Sequence, residues 1–218
     1  MIELKNLKKT YGERTVLDIP QLTVADGCIV AFAGANGSGK TTLLKILAGT
    51  LGAAGEIKKP KSVRYMPQQS YAFRGDLIRN LTIGGAEKAG TGALLEKVAL
   101  AHLAGKQASS LSGGELQRLS LCRVLSKPCD LLLLDEPTSA CDAKGAELVV
   151  AAIRDYQKQC GCTVLLSTHS PSLALQTADR LIIFNNGRIE SDGPPKTLLA
   201  HPGTEWAKSF VAGWKIEC

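Results

Sequence analysis

The apolar positions of the chain change period along its length, and each change marks an element. From Ile2 to Ala33 apolar and polar residues alternate around turn-like Tyr11-Gly12 and Ala25-Asp26-Gly27. A period of two belongs to strands with one buried face, so this segment predicts several strands, partly antiparallel. Its last stretch, Ile29-Val30-Ala31-Phe32-Ala33, is continuously apolar and reads as a buried strand; residues 42–48 follow as a helix closed by Gly49. Val63-Arg64-Tyr65-Met66 reads as a further short strand. Between Tyr71 and Ser110 the pattern turns helical, with Leu94, Leu95, Val98, Leu100 and Leu103 on helical spacing and interruptions at Gly84-Gly85 and Gly90-Thr91-Gly92. This predicts a small helical lobe. Three short apolar runs come next, at 131–134, 163–166 and 181–184, the pattern of parallel strands covered on both faces. Asn185-Asn186-Gly187 then predicts a hairpin turn into Arg188-Ile189-Glu190. The class is α/β.

Composition narrows the possibilities. Of 218 residues 26 are basic and 20 acidic, a net charge of +6. The tightest basic cluster, Lys58, Lys59, Lys61 and Arg64, reads as a solvated strand edge, so no nucleic-acid partner is expected. The seven cysteines, at 28, 122, 129, 141, 160, 162 and 218, include no C-x-x-C pair. Cys160-Gly161-Cys162 has no second pair or nearby histidine to complete a metal site, and reduced thiols are expected. Met1-Ile2-Glu3-Leu4-Lys5 is charged and alternating, unlike a signal peptide. The longest apolar runs, such as 28–33 and 148–153, fall well short of the ~18–20 residues a membrane helix needs. The chain is expected to be soluble by itself, and any work at a membrane to depend on another protein holding it there.

Gly34-Ala35-Asn36-Gly37-Ser38-Gly39-Lys40-Thr41 lies between the 29–33 strand and a helix that begins with Thr42, and it fits G-x-x-x-x-G-K-[ST], the phosphate-binding loop. Its glycines admit conformations that a β-carbon resists, so consecutive N–H groups can converge on phosphate oxygens at a positive helix end. Lys40 would then reach the β- and γ-phosphates of a bound nucleotide, and Thr41 would offer its hydroxyl to Mg²⁺. The 131–134 run ends in Asp135-Glu136, two carboxylates at the carboxyl end of a buried strand, where open α/β sheets present their ligands. Asp135 is the candidate to hold Mg²⁺ through water, and Glu136 to polarise the water that attacks the γ-phosphate; the alternative is a solvated strand-end pair. His169 follows the next strand through Ser167-Thr168. It is a candidate to reach the γ-phosphate from the opposite side, the alternative being a structural histidine. Leu111-Ser112-Gly113-Gly114-Glu115 opens a helix with Leu116, Leu119, Cys122 and Leu125 on its apolar face. Ser112 and Glu115 have the spacing of a capping box, while the two glycines bare the first N–H groups and predict a second anion site.

With Tyr11, Gln68 and Ser139-Ala140-Cys141-Asp142 added in order, the chain resembles the ATP-binding subunit of ABC transporters over nearly its whole length, and its tail, 191–202 with Trp206 and 210–213, resembles the ends of the compact importer ATPases of bacteria. A phosphate loop alone is common; the LSGG-type sequence before the second acidic motif makes the combination specific. The resemblance implies the ABC-ATPase form of the P-loop NTPase fold, with a mainly parallel core sheet, an N-terminal antiparallel β subdomain and a small inserted helical subdomain. It implies one domain over 1–218, in which 1–70 and 111–218 form a RecA-like core and 71–110 a compact helical subdomain leading into the signature helix. It further implies that Tyr11 stacks on adenine and that Gln68 senses Mg²⁺ and the attacking water. Ser112, Gly113, Gly114 and Glu115 would contact the nucleotide of a second copy in a head-to-tail homodimer, with Asp142 in the loop that crosses to that copy.

The implied activity is hydrolysis of ATP that powers solute import through integral membrane subunits, with a substrate-binding protein as a further partner and the chain peripheral on the cytoplasmic side of the cell membrane. Within 70–74, Tyr71 and Phe73 are the expected anchors for a helix of the membrane subunit; the alternative makes both rings core of the lobe. A soluble ABC ATPase acting on a ribosome, nucleic acid or assembly complex would share every motif but usually brings paired cassettes, coiled-coil insertions or basic arms. A P-loop kinase would leave the Ser112 helix and His169 without a role. The chain departs from the family pattern in Glu115, where glutamine is usual, in Cys141, where leucine is common, and in short spacings on either side of Gln68.

Overall fold

The computed structural model describes residues 1–214, so Cys218 lies outside the described residues. Strands β1 (Ile2–Tyr11) and β2 (Arg14–Val24) form the expected hairpin, paired from Tyr11↔Arg14 to Ile2↔Val24 with a bulge at Lys9/Thr10. β4 (Ala54–Lys58) joins the free edge of β1 and completes a three-stranded antiparallel sheet, β2-β1-β4. The other sheet has the order β5-β6-β7-β3-β8-β9. In it β5 (Val63–Met66), β6 (Leu131–Asp135), β7 (Thr163–Ser167), β3 (Ile29–Gly34) and β8 (Arg180–Asn185) are parallel, and β9 (Arg188–Gly193) returns antiparallel through the predicted hairpin.

The continuous apolar runs have a direct cause. Leu131 and Leu133 face a core shared with the antiparallel sheet and α1 (Lys40–Leu47), whereas Leu132 and Leu134 face a second core. That second core is built with α2 (Leu77–Gly84), α3 (Thr91–Lys97), α4 (Gly113–Leu125), α5 (Ala143–Cys160) and α6 (Pro171–Thr177). Val164/Leu165 and Ile182/Ile183 divide in the same way between the two cores. A strand buried on both sides has no polar face to alternate with. The last helices, α7 (Pro195–Ala200) and α8 (Glu205–Gly213), close the second core with Leu198, Leu199, Val211 and Trp214.

Two details of the pattern read differently in three dimensions. The helically spaced residues 94–103 are not one helix: α3 stops at Lys97, Ala99 is left-handed at φ +55°, and Leu100 N–H closes onto the Leu95 carbonyl before a single 3₁₀ turn at Ala101–Leu103. Gly90-Thr91-Gly92 does not interrupt the lobe but carries the chain from a 3₁₀ turn at Lys88–Gly90 into α3, the Thr91 hydroxyl donating back to the Lys88 carbonyl. The basic cluster is split. Lys58 lies on the exposed edge strand β4, paired with Glu3, whereas Arg64 points inward and donates to the carbonyls of Gly84 and Arg123 at the ends of α2 and α4.

Candidate functional site

Because β7 lies between β6 and β3, the carboxyl ends of these strands are neighbours, and each delivers a different group to one place. From β3 comes the glycine loop. A β-carbon on Gly34, at φ +142°, would sit 2.3 Å from the Phe184 carbonyl oxygen, and one on Gly39, at φ +106°, would sit 2.6 Å from Leu17 Cδ2. Both glycines therefore answer to strands packed behind the loop as much as to a ligand in front of it. α1 begins with Lys40 and has no side-chain cap, so its first N–H groups are free to meet an anion. Lys40 is 6% exposed, and its Nζ donates to the carbonyls of Gly34 at 2.8 Å and Ala35 at 3.2 Å. Burial lowers its pKa, opposed by the charges of Glu136 and Asp135. The ammonium is thus folded onto its own loop with carbonyls for company.

From β6 come the two carboxylates. Asp135 is fully buried; its Oδ1 accepts from Thr41 Oγ1 at 3.0 Å and from Ser167 Oγ at 2.6 Å, and Tyr65 Oη lies 3.4 Å from Oδ2. No lysine or arginine forms an ion pair with it among the described residues. A buried carboxylate ringed by hydroxyls and short of a cation is a hard-oxygen donor set that fits Mg²⁺. Glu136 has a left-handed backbone, φ +52°, which costs an L-residue about 1–2 kcal/mol. Its N–H donates to Ser167 Oγ at 2.9 Å and its Oε2 accepts from the His169 N–H at 3.2 Å. Its Oε1 is buried without a well-aligned hydrogen bond, although His169 Nε2 stands 3.2 Å away. Burial pushes the Glu136 carboxyl up to about 7, against the pull of Lys40. Burial also lowers the pKa of His169, and Lys40 lowers it further. Both shifts disfavour the charged imidazole, and the His169–Glu136 pair is a close contact without hydrogen-bond alignment. A carboxylate of raised basicity with an unpartnered oxygen is suited to taking a proton from water.

One cavity of about 170 Å³ is lined by Val16, Asn36, Gly37, Ser38, Gly39, Lys40, Thr41, Thr42, Gln68, Glu136 and His169, with Asp135 behind Thr41 and Gly34 and Ala35 outside the lining. Gln68 is exposed at its mouth. Tyr11 does not line it; the ring is 53% exposed at the end of β1, with Lys9 Nζ 5.1 Å from its centroid. Ser112, Gly113, Gly114 and Glu115 are also elsewhere, at the start of α4, and Asp142 caps α5 through Gly145 N–H at 2.8 Å. The capping box is complete: Glu115 Oε2 accepts from the Ser112 N–H and hydroxyl, each at 2.8 Å, which holds its carboxyl below the usual range. The chain thus brings together the loop, the two carboxylates, Gln68 and His169, and leaves the signature residues apart.

A third feature lies on the lobe. Tyr71, Phe73 and Ile83 are 47%, 37% and 50% exposed and rim a groove floored by Arg64 and Arg123. The two rings meet edge to face at 5.4 Å and both cover the Arg123 guanidinium. They are a surface of the lobe, and Ala72 between them packs on the core.

Sequence reasoning missed Val16, Ser167 and Gln117. Ser167 was the traceable one, since it ends an apolar strand two residues before His169; nothing in the spacing of Val16 or Gln117 points to this place.

Comparison with known proteins agrees with the geometry. The ABC transporter family profile matches residues 17–139. The chain is 33% identical over 235 residues to the sulfate/thiosulfate import ATP-binding protein CysA of Shigella flexneri, covering 96% of this chain and 64% of that protein. It is 34% identical to the uncharacterized ABC transporter ATP-binding protein YdcT of Escherichia coli strain K12, covering 96% of this chain and 68% of that one. The chain therefore spans about two thirds of the length of these relatives. The fold matches the ATP-binding cassette MJ0796, solved as a dimer bound to ADP and Pi, with a TM-score of 0.80 at 24% identity over 89% of this chain and 99% of that one. The chain belongs to the ABC transporter family.

Proposed function

We propose that the chain is the ATP-hydrolysing subunit of a membrane importer, working as a head-to-tail pair of copies. The observation that carries this reading is the single cavity in which Lys40, Thr41, Gln68, Glu136 and His169 converge, together with the separation of Ser112–Glu115 from it on the same chain. A triphosphate enters with its β- and γ-phosphates over the free N–H groups of the loop and the start of α1, and Lys40 turns from its carbonyl partners to the phosphate oxygens. Thr41 and, through water, Asp135 would hold Mg²⁺, which neutralises phosphate charge when bound. Glu136 takes the proton of a water whose oxygen attacks the γ-phosphorus; the bond to the β–γ bridging oxygen breaks, and ADP and phosphate leave. His169 and Gln68 orient that water and the γ-phosphate from either side, and Tyr11 stacks on the adenine.

Ser112, Gly113, Gly114 and Glu115 contact the triphosphate of the second copy, and Asp142 borders the junction. Two ATP molecules then lie between the copies, and hydrolysis reopens the pair. The domain organisation follows the same reading, with residues 71–110 as the helical subdomain and the remainder as the core. No described helix is long and apolar enough to cross a membrane, and the groove at Tyr71 and Phe73 offers aromatic anchors to a helix of an integral membrane subunit, which would keep the chain peripheral on the cytoplasmic face. Relatives named for sulfate and thiosulfate import support a small inorganic oxyanion as cargo, delivered by a substrate-binding protein. The test is phosphate release from ATP and Mg²⁺ across a range of protein concentrations. Turnover per chain that climbs with concentration supports a shared site; turnover per chain that is constant down to concentrations where the protein is monomeric contradicts it.

A further inference from the structure

Five residues after Ser112, α4 carries Gln117, whose role the reading above leaves open. The side chain is 1% exposed, and its amide is bonded at both ends. Nε2 donates to the Glu136 carbonyl at 2.8 Å and to Ser139 Oγ at 3.1 Å, and Oε1 accepts from the Ala140 N–H at 2.6 Å. All three bonds go to one turn, the one that leaves Glu136 and leads towards Asp142. Groups buried so completely are costly to leave unpaired, so the turn and the helix are held at a fixed separation. Gly114 permits the close approach: a β-carbon there would sit 2.9 Å from the Ala140 carbonyl oxygen, whereas one on Gly113 would meet nothing nearer than 3.8 Å.

Glu136 is the left-handed residue of this turn and is followed by Pro137. A conformation of this kind persists only where the surroundings over-determine it. Here its N–H is held by Ser167 from β7 and its carbonyl by Gln117 from α4, so the peptide on each side of the strained residue is clamped by a different element.

We propose that Gln117 is a positioning residue for Glu136. It maintains the backbone geometry that aims the carboxylate into the phosphate cavity, and it ties that aim to the start of α4. The second part rests on the dimer reading, in which Ser112 faces the nucleotide of the other copy. From Ser112 to Gln117 is ~7.5 Å of helix, stiff enough to pass a displacement to the Glu136 carbonyl instead of losing it in a loop. Each copy thereby senses its neighbour's nucleotide at the group that cleaves its own.

The experiment uses Gln117→Met, which keeps length and removes the bonds, beside Gln157→Met, which removes a comparable bond from Gln157 Nε2 to the Gly27 carbonyl, 2.6 Å, at the opposite end of the sheet. Melting temperature, affinity for a fluorescent ATP analogue and kcat are measured for both. Gln117→Met should lose at least ~10-fold in kcat with affinity within about twofold of the parent, since the glycine loop shares no bond with Gln117. With ATP and Mg²⁺ it should also stay dimeric on size exclusion. Gln157→Met should lower the melting temperature and leave kcat near the parent. A kcat for Gln117→Met no lower than that of Gln157→Met overturns the proposal, as does an equal loss of affinity and turnover. If Gln117→Met does not fold, Gln117→Glu keeps an acceptor for the Ala140 N–H and removes the Nε2 donor that serves both the Glu136 carbonyl and Ser139 Oγ; a parental kcat in that variant overturns the proposal equally. A parent without ATPase activity overturns the functional reading and this one together, whereas an active parent with an active Gln117→Met overturns this one alone.

Discussion

The loop at Gly34–Thr41 and the turn at Ser112–Glu115 use the same parts, glycines set before the first N–H groups of a helix, in opposite surroundings. At the loop, Gly34 and Gly39 are packed against β8 and β2, Lys40 and Ser38 are buried, and the carboxylates of Asp135 and Glu136 arrive from the end of β6, one strand beyond β7. At the turn, Ser112 and Gly113 are exposed, and the polar groups bond mainly to each other through the capping box. The loop has a basic residue, a metal-fitting carboxylate and a carboxylate of raised pKa within reach; the turn has a capping box and exposed residues at the start of its helix. In the proposed reading one is a site for chemistry and the other a surface that closes over the nucleotide of a second copy. That contrast is why the account needs two copies.

The largest effect should come from breaking the loop side. Lys40→Ala removes the only lysine or arginine that lines the cavity among the described residues, and ATP affinity measured by a fluorescent analogue should fall at least ~100-fold; turnover near the parent would end the assignment. Glu136→Gln should leave affinity intact and lower phosphate release by ~10²–10⁴-fold, the range expected for a general base, with ATP and Mg²⁺ trapping a dimer that ADP does not. Near-normal turnover without a lasting dimer would falsify the catalytic role of Glu136.

The raised pKa of Glu136 sharpens the same side. Its carboxyl titrates near 7 when folded and at an ordinary 4.5 when unfolded, so the folded chain binds the extra proton between these values and loses stability as pH rises through that window. The melting temperature of Glu136→Gln relative to the parent should therefore climb from pH 4.5 to 7 and level off above, and parental kcat should rise through pH 7 as the base deprotonates. A melting difference independent of pH would contradict the burial argument. The smallest effect on the isolated chain belongs to the lobe. Tyr71→Ala with Phe73→Ala should release the chain from membranes bearing its partner, with ATPase and melting temperature close to the parent, because both rings are surface. Loss of the fold would instead make them core.

The two regions also differ in how far the sequence discloses them. The loop, Asp135-Glu136 and His169 are legible because each ends a strand that is buried on both faces and therefore continuously apolar, and adjacent parallel strands must deliver their ends together. The capping box is legible from the Ser112–Glu115 spacing. Packing between elements is not. Gln117 reads as one polar residue on an amphipathic helix, Val16 as one apolar residue on an alternating strand, and the reason for Gly114 becomes visible only with Ala140 beside it. The bend at Ala99 is hidden for the same cause, since the apolar spacing runs on through a chain reversal set by the Leu95–Leu100 bond.

The central claim is that the loop of one copy and the signature turn of another make one site, and mixing two inactive variants tests it most directly. Lys40→Ala kills the loop half and Ser112→Arg the turn half. In a mixed pair, one site carries both lesions and the other carries neither. Phosphate release should therefore reappear on mixing, up to roughly a quarter of the parental rate if copies pair at random, and should vanish when both lesions are placed on the same chain and mixed with either variant. A mixture no more active than its two components would contradict the shared site.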